Sequence, residues 1–176
     1  MAEKLLTSLG FRRLQAEYDY YWKVLRPETV QRVADAAAEG DRSENAEYIY
    51  GRKKLRQIDK RLGYLSRLLD GVRVVDPCDI QSDRVGFGAT VTVEDDNGRT
   101  RTWTIVGEGE SDPEYGLISA SSPVARALWG KRVGDIVDVE LPAGEIEYEL
   151  LAIEYGGPVW RRVVEAFADW EFRPTL

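Results

Sequence analysis

The chain contains no histidine and a single cysteine, Cys78, among its 176 residues. Zinc sites built on histidine and Ser-His or Cys-His nucleophile pairs are therefore excluded. A lone cysteine cannot form an internal disulfide, which is typical of a cytoplasmic protein. Any catalytic chemistry must rest on carboxylates, lysines, hydroxyls or a metal ion bound together with another molecule.

Long apolar stretches are also missing. No apolar run reaches the roughly 18 residues that a transmembrane helix needs, and the N-terminal stretch MAEKLLTSLGFRRL lacks the apolar core of a signal peptide. The composition, with 43% hydrophobic and 31% charged residues, predicts a globular protein of one large or two small domains. We expect a cytoplasmic monomer.

Charge is divided unevenly along the chain. Residues 1–75 hold 15 Lys/Arg and 11 Asp/Glu, whereas residues 76–176 hold 9 and 20. The N-terminal part is therefore net basic, although the whole chain carries a net charge of −7. Because the field near a surface depends on local charge, the acidic total does not exclude a nucleic-acid partner.

The N-terminal part shows the apolar spacing of two long helices. Residues 7–39 predict the first, with an N-cap at Thr7 or Ser8 and a kink or restart at Pro27. Residues 43–70 predict the second. Their short connection makes them an antiparallel hairpin, roughly 45 Å long at about 1.5 Å per residue.

Further along, the apolar period changes to two and a short helix is predicted. Ser122 before Pro123 is typical of an N-cap, and Gly130 of a helix end. The fold class is therefore α+β, a helical hairpin followed by a small β-sheet domain with one short helix. Strands are predicted at residues 85–94, 99–107, 115–119, 136–141 and 145–153.

These elements place the hairpin at residues 1–75, a linker at 76–84, the sheet domain at 85–155 and a tail at 156–176. The tail has apolar residues on one helical face. This pattern favours a helix docked on the sheet domain over a helix that binds a partner. The face consists of Trp160, Val163, Val164, Phe167 and Trp170.

The hairpin connection, EGDRSENAEY at residues 39–48, is unusually acidic. Asp41 and Glu44 are three residues apart, and two carboxylates attract Mg²⁺, although they need further ligands from a substrate phosphate or another protein. Helix capping is the alternative, with Gly40 after the first helix and Asp41 or Ser43 as the N-cap of the second. The local sequence is compatible with both.

The second helix is strongly basic just after this connection. Seven cations occur within sixteen residues, against one acid, Asp59. The pattern indicates either a solvated outer face or a strip that contacts phosphates or an acidic groove. The cations are Arg52, Lys53, Lys54, Arg56, Lys60, Arg61 and Arg67.

Taken together, these stretches resemble the bacterial Gre transcript-cleavage factors, and GreB-like members more than GreA-like ones. The resemblance runs in family order over residues 5–155, and it implies a coiled-coil hairpin followed by an FKBP-like globular domain. GDRSENAEY and SPVARALWGKRVGD are its most specific parts. The other matching stretches are LLTSLGFRRLQAEYDYY, LRPETV, the remainder of EGDRSENAEYIYGRKKLRQIDKRLGYL, FGATVTVEDDNGRTRTWTIVG and LPAGEIEYELLAIEY.

The resemblance implies a transcription elongation factor. Gre factors bind bacterial RNA polymerase through its secondary channel when the enzyme has backtracked, and they stimulate endonucleolytic cleavage of the extruded RNA 3′ end. The factor is a stimulator and not the enzyme, because the active site of the polymerase cuts the RNA. The implied partners are RNA polymerase and the nascent RNA 3′ end, with no membrane partner.

Residue roles follow from the same resemblance. Asp41 and Glu44 match the two acidic tip residues of the family, which implies a Mg²⁺ shared with the polymerase active site and none held stably by this chain alone. Asp41 would help hold that ion, and Glu44 would orient or deprotonate the attacking water. Gly40, Ser43 and Asn45 are assigned to shaping the tip.

Two further groups match family segments. Ser122 and Pro123 match the segment implicated in docking to polymerase. The basic patch that contacts extruded RNA in GreB-like factors matches Arg52, Lys53, Lys54 and Arg56.

Some features depart from the family pattern. Gly51 and Gly63 lie inside the second helix, where each costs about 1 kcal/mol relative to alanine if exposed. The tail has no counterpart in the pattern. Two other functions are considered: a regulator that occupies the secondary channel without stimulating cleavage, and a peptidyl-prolyl isomerase or chaperone. The acidic pair favours cleavage over the first, and the hairpin argues against the second.

Overall fold

The computed structural model describes residues 3–41 and 44–174 of the chain. The chain divides into two compact units. Met1–Phe11 and Gly71–Trp170 form one, which we call the sheet unit. Arg12–Asp70 and Glu171–Leu176 form the other, which we call the hairpin unit. Among the described residues, no helix is both long and apolar enough to cross a membrane.

Two antiparallel helical arms make up the hairpin unit. The first arm contains α1 (Ser8–Tyr20), a π-helical segment (Tyr21–Leu25) and α2 (Arg26–Ala38), and its first residues belong to the sheet unit. The second arm is α3 (Ala46–Leu69). The predicted hairpin is confirmed, although α3 begins three residues later than the apolar pattern indicated.

The predicted interruption at Pro27 takes the form of a change in helix type. A proline inside an α-helix clashes with the carbonyl group four residues earlier, here that of Lys23. Lys23 lies in the wider π-helical turn, after which α2 restarts with Pro27 in its first turn. The Thr29 hydroxyl donates to the Leu25 carbonyl four residues earlier at 2.8 Å, a side-chain bond within the first turn of α2.

A five-stranded sheet, in the order β5-β4-β3-β7-β6, forms the main part of the sheet unit. Neighbouring strands are antiparallel except β4 and β5. The short helix α4 (Pro123–Leu128) contributes Ala125 and Leu128 to the buried cluster under the sheet. The strands are β3 (Ala89–Asp95), β4 (Thr100–Val106), β5 (Leu117–Ser119), β6 (Ile136–Leu141) and β7 (Gly144–Tyr155).

A second, two-stranded parallel sheet was not predicted. It pairs β1 (Leu5–Thr7) with β2 (Arg73–Val75), the segments that immediately precede and follow the hairpin in the sequence. Three residues are too few to show a period of two, so no pattern marks either strand. Their pairing is a long-range feature that appears only in the folded chain.

A buried carboxylate joins β1 to the loop after β4. Glu110 is 5% exposed and accepts hydrogen bonds from the Thr7 amide at 3.0 Å, the Gly107 amide at 2.7 Å and the Thr7 hydroxyl. The Thr7 hydroxyl in turn accepts from the Gly10 amide at 3.0 Å, which is the N-cap contact predicted for α1. Glu110 therefore orients the residue that caps this helix.

The tail contains a fifth helix, α5 (Pro158–Ala166). Its Trp160 and Val163, with Phe167 just beyond it, are buried in an apolar cluster of the sheet unit. Leu9, Val106 and Leu117 complete the buried part of that cluster. In the hairpin unit, the ring of Phe172 lies 5.5 Å from that of Tyr20 and 5.8 Å from that of Tyr21.

Candidate functional site: the acidic tip and basic face of the hairpin

A single tight turn connects the two arms. α2 ends at Ala38 with Glu39 as its C-cap, and the next residue, Gly40, has a φ of +155°, which L side chains rarely adopt. The Asp41 carbonyl then accepts the amides of Glu44 at 3.3 Å and Asn45 at 3.1 Å. These bonds bring Asp41 and Glu44 into the same turn. Ser43, assigned to the tip from the sequence, lies outside the described residues.

Asn45 is the N-cap of α3. Its side-chain oxygen accepts the Tyr48 amide at 3.2 Å, and its Nδ2 donates to the Ala36 carbonyl in the last turn of α2 at 2.7 Å. The alternative that Asp41 or Ser43 caps this helix was therefore wrong. One amide side chain caps the second arm and also ties it to the first.

Both tip carboxylates, on Asp41 and Glu44, are on exposed residues. Carboxylate oxygens are the ligands that hard divalent cations prefer, so the donor set fits Mg²⁺. Within residues 3–41 and 44–174, no group of three or more Asp, Glu or Cys side chains is arranged to hold a metal ion. Two carboxylates alone would fill only part of the coordination shell of Mg²⁺.

A basic face begins one turn into α3. Arg52, Lys53, Arg56 and Lys60 are exposed, and Lys54 is partly exposed. One of these cations is held in place by a contact that sequence reasoning missed. The Arg52 guanidinium lies over the ring of Tyr48, 5.8 Å from its centroid, and donates to the Tyr48 hydroxyl at 3.3 Å. The spacing of four residues on a helix was the signal that could have found this pair.

Arg61, counted with this face in the sequence, serves another purpose. Its guanidinium donates to both oxygens of Glu17 on α1, at 2.6 and 3.0 Å. The hydrogen bond to Glu17 raises the pKa of Arg61 above its usual value. Arg26 likewise pairs with Asp59 at 2.8 Å. Both pairs link the two arms, so Arg61 does not extend the basic face.

The two helical glycines have different surroundings. Gly51 is buried, and a Cβ atom added there would lie 2.8 Å from Cγ2 of Val33 on α2. Glycine at this position permits close approach of the arms near the tip. At Gly63 the nearest heavy atom to an added Cβ is Arg67 Nη1 at 3.7 Å, which is ordinary contact. The expected cost of a helical glycine applies to Gly63 and not to Gly51.

The sheet unit carries the other predicted site. Ser122 is the N-cap of α4, with its hydroxyl accepting the Ala125 amide at 3.3 Å, and Pro123 follows as the first helical residue. Pro123 is exposed and Ser122 is partly exposed. The predicted capping geometry is confirmed, and it presents this pair at the surface of the unit.

Comparison with known proteins defines the class. The model of the N-terminal domain of transcription elongation factors, GreA_GreB_N, matches residues 4–74. The model "Transcription elongation factor, GreA/GreB, C-term" matches residues 80–155. Hairpin and sheet together therefore define a transcription elongation factor of two-part architecture.

Whole-chain relatives narrow the assignment. Transcription elongation factor GreB of Yersinia pestis is 48% identical over 150 residues, covering 85% of this chain and 88% of that protein. GreB of Xanthomonas axonopodis pv. citri is 49% identical over 152 residues, covering 86% and 90%. The chain belongs to the GreA/GreB family of transcription elongation factors, and the resemblance seen in the sequence is confirmed.

Among solved structures, GreA factor homolog 1 (Gfh1) of Thermus thermophilus is similar over 87% of this chain and 99% of that chain, with a TM-score of 0.41 and 23% sequence identity.

Proposed function

We propose that this protein binds bacterial RNA polymerase, enters its secondary channel with the hairpin tip, and stimulates cleavage of the RNA 3′ end in backtracked, arrested complexes. The protein acts as a cytoplasmic monomer. It is a stimulator, because the polymerase active site performs the cut. The proposal rests on membership in the GreA/GreB family and on the chemistry of the tip.

One observation carries the proposal: Asp41 and Glu44 lie exposed in a turn whose helix cap is supplied by a different residue, Asn45. A cap would have explained acids at this position without any external function. Since Asn45 makes the cap, neither Asp41 nor Glu44 is needed as the N-cap of α3. Both residues are exposed, so a cation brought by another molecule can reach them.

The two carboxylates have separate roles in this proposal. Asp41 contributes an oxygen ligand to a Mg²⁺ that the polymerase also holds. Glu44 orients the attacking water and accepts its proton. When bound, the metal supplies charge stabilisation for phosphodiester hydrolysis of the two-metal kind. This chain alone holds no Mg²⁺ stably, because two carboxylates leave most of the coordination shell to other ligands.

The basic face gives the hairpin a nucleic-acid contact. Arg52, Lys53, Lys54 and Arg56 follow the tip within about three turns of α3, and they would neutralise phosphates of the extruded RNA. Tyr48 fixes Arg52 in this arrangement. The surface at Ser122 and Pro123 is proposed to dock on polymerase.

Cleavage of stalled, backtracked polymerase provides the test. With Mg²⁺ present, the protein should accelerate release of short 3′ RNA fragments. Asp41→Ala and Glu44→Ala should each abolish the acceleration while polymerase binding persists. Gln57→Ala, at an exposed polar position of α3, is the matched control and should behave as wild type.

Each outcome of that assay is informative. The protein alone should leave free RNA intact, and cleavage without polymerase would mean that it is itself a nuclease. Binding to polymerase with no acceleration would contradict the proposal and identify a channel regulator instead.

A further inference from the structure

Two apolar side chains stand exposed at the tip end of the basic face. Tyr50 is 68% exposed and Ile49 is 51% exposed, although both lie on the helix that carries the hairpin contacts. Exposing large apolar groups costs free energy in water, and as consecutive helical residues these two project about 100° apart around α3. The packing of the arms leaves both side chains exposed, although the next residue of α3, Gly51, is buried.

Cations follow both of these side chains at helical spacing. Residues three and four positions apart on a helix are neighbours, with Cβ atoms about 5–6 Å apart. Ile49 therefore neighbours Arg52 and Lys53, and Tyr50 neighbours Lys53 and Lys54. Each apolar side chain is thus followed, one turn further along, by two positive charges.

This pairing of ring and cations is the chemistry that binds unpaired nucleic acid. Proteins that bind single strands place aromatic rings beside a basic track, so that bases stack while phosphates are neutralised. An apolar protein partner would not require the cations, and duplex binding would not require an exposed ring. The combination of positive charge and an exposed aromatic ring therefore favours a single strand of nucleic acid as the ligand.

We infer that Tyr50 is a stacking site for an unpaired base of the RNA segment on the 3′ side of the scissile bond, with Ile49 flanking it and Arg52 and Lys53 contacting adjacent phosphates. The inference rests on the proposed function. Tyr50 follows the N-cap Asn45 by five residues, or about 7.5 Å along the helix axis at 1.5 Å per residue. The stacked base is therefore close to the carboxylates of the tip.

The position of one acid sets the direction of the strand. Glu47 lies one turn before Tyr50 in the first turn of α3, on the side towards Lys54. Its negative charge offsets that of Lys54, so phosphate beside the ring is attracted less on that side. The RNA backbone accordingly passes on the Ile49 side of the ring, towards Arg52 and Lys53.

The test uses backtracked polymerase complexes whose RNA carries either a normal base or an abasic nucleotide next to the scissile bond on its 3′ side. With the normal base, Tyr50→Ala should raise the half-saturating factor concentration for cleavage about 5- to 150-fold, the range for loss of one stacked base at about 1–3 kcal/mol. Tyr50→Phe keeps the ring, so its half-saturating concentration should be near the wild-type value. With the abasic RNA, the half-saturating concentrations of wild type and Tyr50→Ala should be equal, since the base that would stack on the ring is absent.

A spectroscopic measurement separates stacking from a change in hairpin structure. It places 2-aminopurine at the same nucleotide and uses the Glu44→Ala background to keep the RNA intact. In that background the factor should quench the fluorescence, Tyr50→Phe should quench it equally, and Tyr50→Ala should abolish the quenching. Trp22→Ala removes another exposed aromatic of the hairpin, 52% exposed and far from the tip in sequence, and should leave the quenching unchanged.

Three results have different meanings. If wild type accelerates cleavage while Tyr50→Ala equals it on both RNAs and in quenching, the stacking site is refuted and the proposed function stands. If wild type fails to accelerate cleavage at all, the proposed function itself fails. Quenching that survives Tyr50→Ala would place the base elsewhere on the hairpin and would also overturn the inference.

Discussion

At the residue scale, identical amino acids in one helix have opposite roles. Gly51 allows the arms to approach closely, because a side chain there would meet Val33. Gly63 has room for a side chain and contributes only the conformational freedom of glycine. The sequence shows two glycines in a helical pattern and cannot distinguish them, since the difference lies in a residue of the other arm.

The two glycines give a paired prediction. Gly63→Ala should raise the free energy of unfolding by about 0.5–1 kcal/mol, through helix propensity. Gly51→Ala should lower it by about 1–3 kcal/mol, because the methyl group overpacks against Val33. Urea denaturation followed by helical circular dichroism measures both.

A second substitution checks the cause. Removing the opposing branches with Val33→Ala should make Gly51→Ala much less costly in the double variant than in the single one. If both glycine substitutions changed the free energy of unfolding equally, close packing at Gly51 would not be the cause of the change.

Asn45 shows the limits of predicting a cap from sequence. The connection contains several residues that favour N-caps, and the prediction chose Asp41 or Ser43 and missed Asn45. Asn45 also donates to the Ala36 carbonyl of the first arm, a bond between the arms that the local sequence does not show. The catalytic interpretation of Asp41 and Glu44 depends on Asn45 being the cap.

At the element scale, β1 and the first turn of α1 are held by one carboxylate. Glu110 is buried and receives three donors from Thr7 and Gly107, and Thr7 caps α1. A buried acceptor with several charge-assisted bonds is costly to replace, because its donors lose their partner. The sequence around GEGE carries no signal of this role, since Thr7 lies 103 positions away.

Glu110→Gln should therefore lower the free energy of unfolding by about 2–4 kcal/mol, because its amide group turns an N–H₂ towards donors. Glu108→Gln, two residues away at an exposed position, is the control and should change it by less than about 0.5 kcal/mol. Thermal denaturation of the three proteins measures the effect. Equal stability of the two variants would mean that the carboxylate does not hold β1.

Element types were largely predictable because they follow local periods. The hairpin, the five strands of the main sheet and the helix starting at Pro123 all follow from apolar spacing and turn residues. The pairing of β1 with β2 and the ion pair of Arg61 with Glu17 do not follow from local spacing, since both join segments that are distant in the sequence. The apolar period of a sequence reveals a helix or strand, whereas the segments that pair with each other are seen only in the folded chain.

At the scale of the whole molecule, the uneven distribution of charge along the chain matches the function proposed for the hairpin. The basic excess of residues 1–75 is concentrated on one face of α3, beside an acidic tip that differs in sign from its surroundings. An acidic group on a basic arm suits a site completed by phosphate and metal from elsewhere. The candidate acids were visible in the sequence, whereas the identity of the helix cap required the structure.

The central claim is that the tip contributes metal-binding carboxylates to another active site. The most direct measurement is the cleavage rate of backtracked RNA polymerase as a function of Mg²⁺ concentration, with wild type, Asp41→Asn and Glu44→Gln. Asp41→Asn should raise the half-saturating Mg²⁺ concentration by at least about 10-fold, the effect of losing roughly 1.4 kcal/mol of metal binding. Glu44→Gln should chiefly lower the maximal rate, about 10²- to 10⁴-fold for a general base. Wild-type metal dependence and rate in both variants would contradict the account.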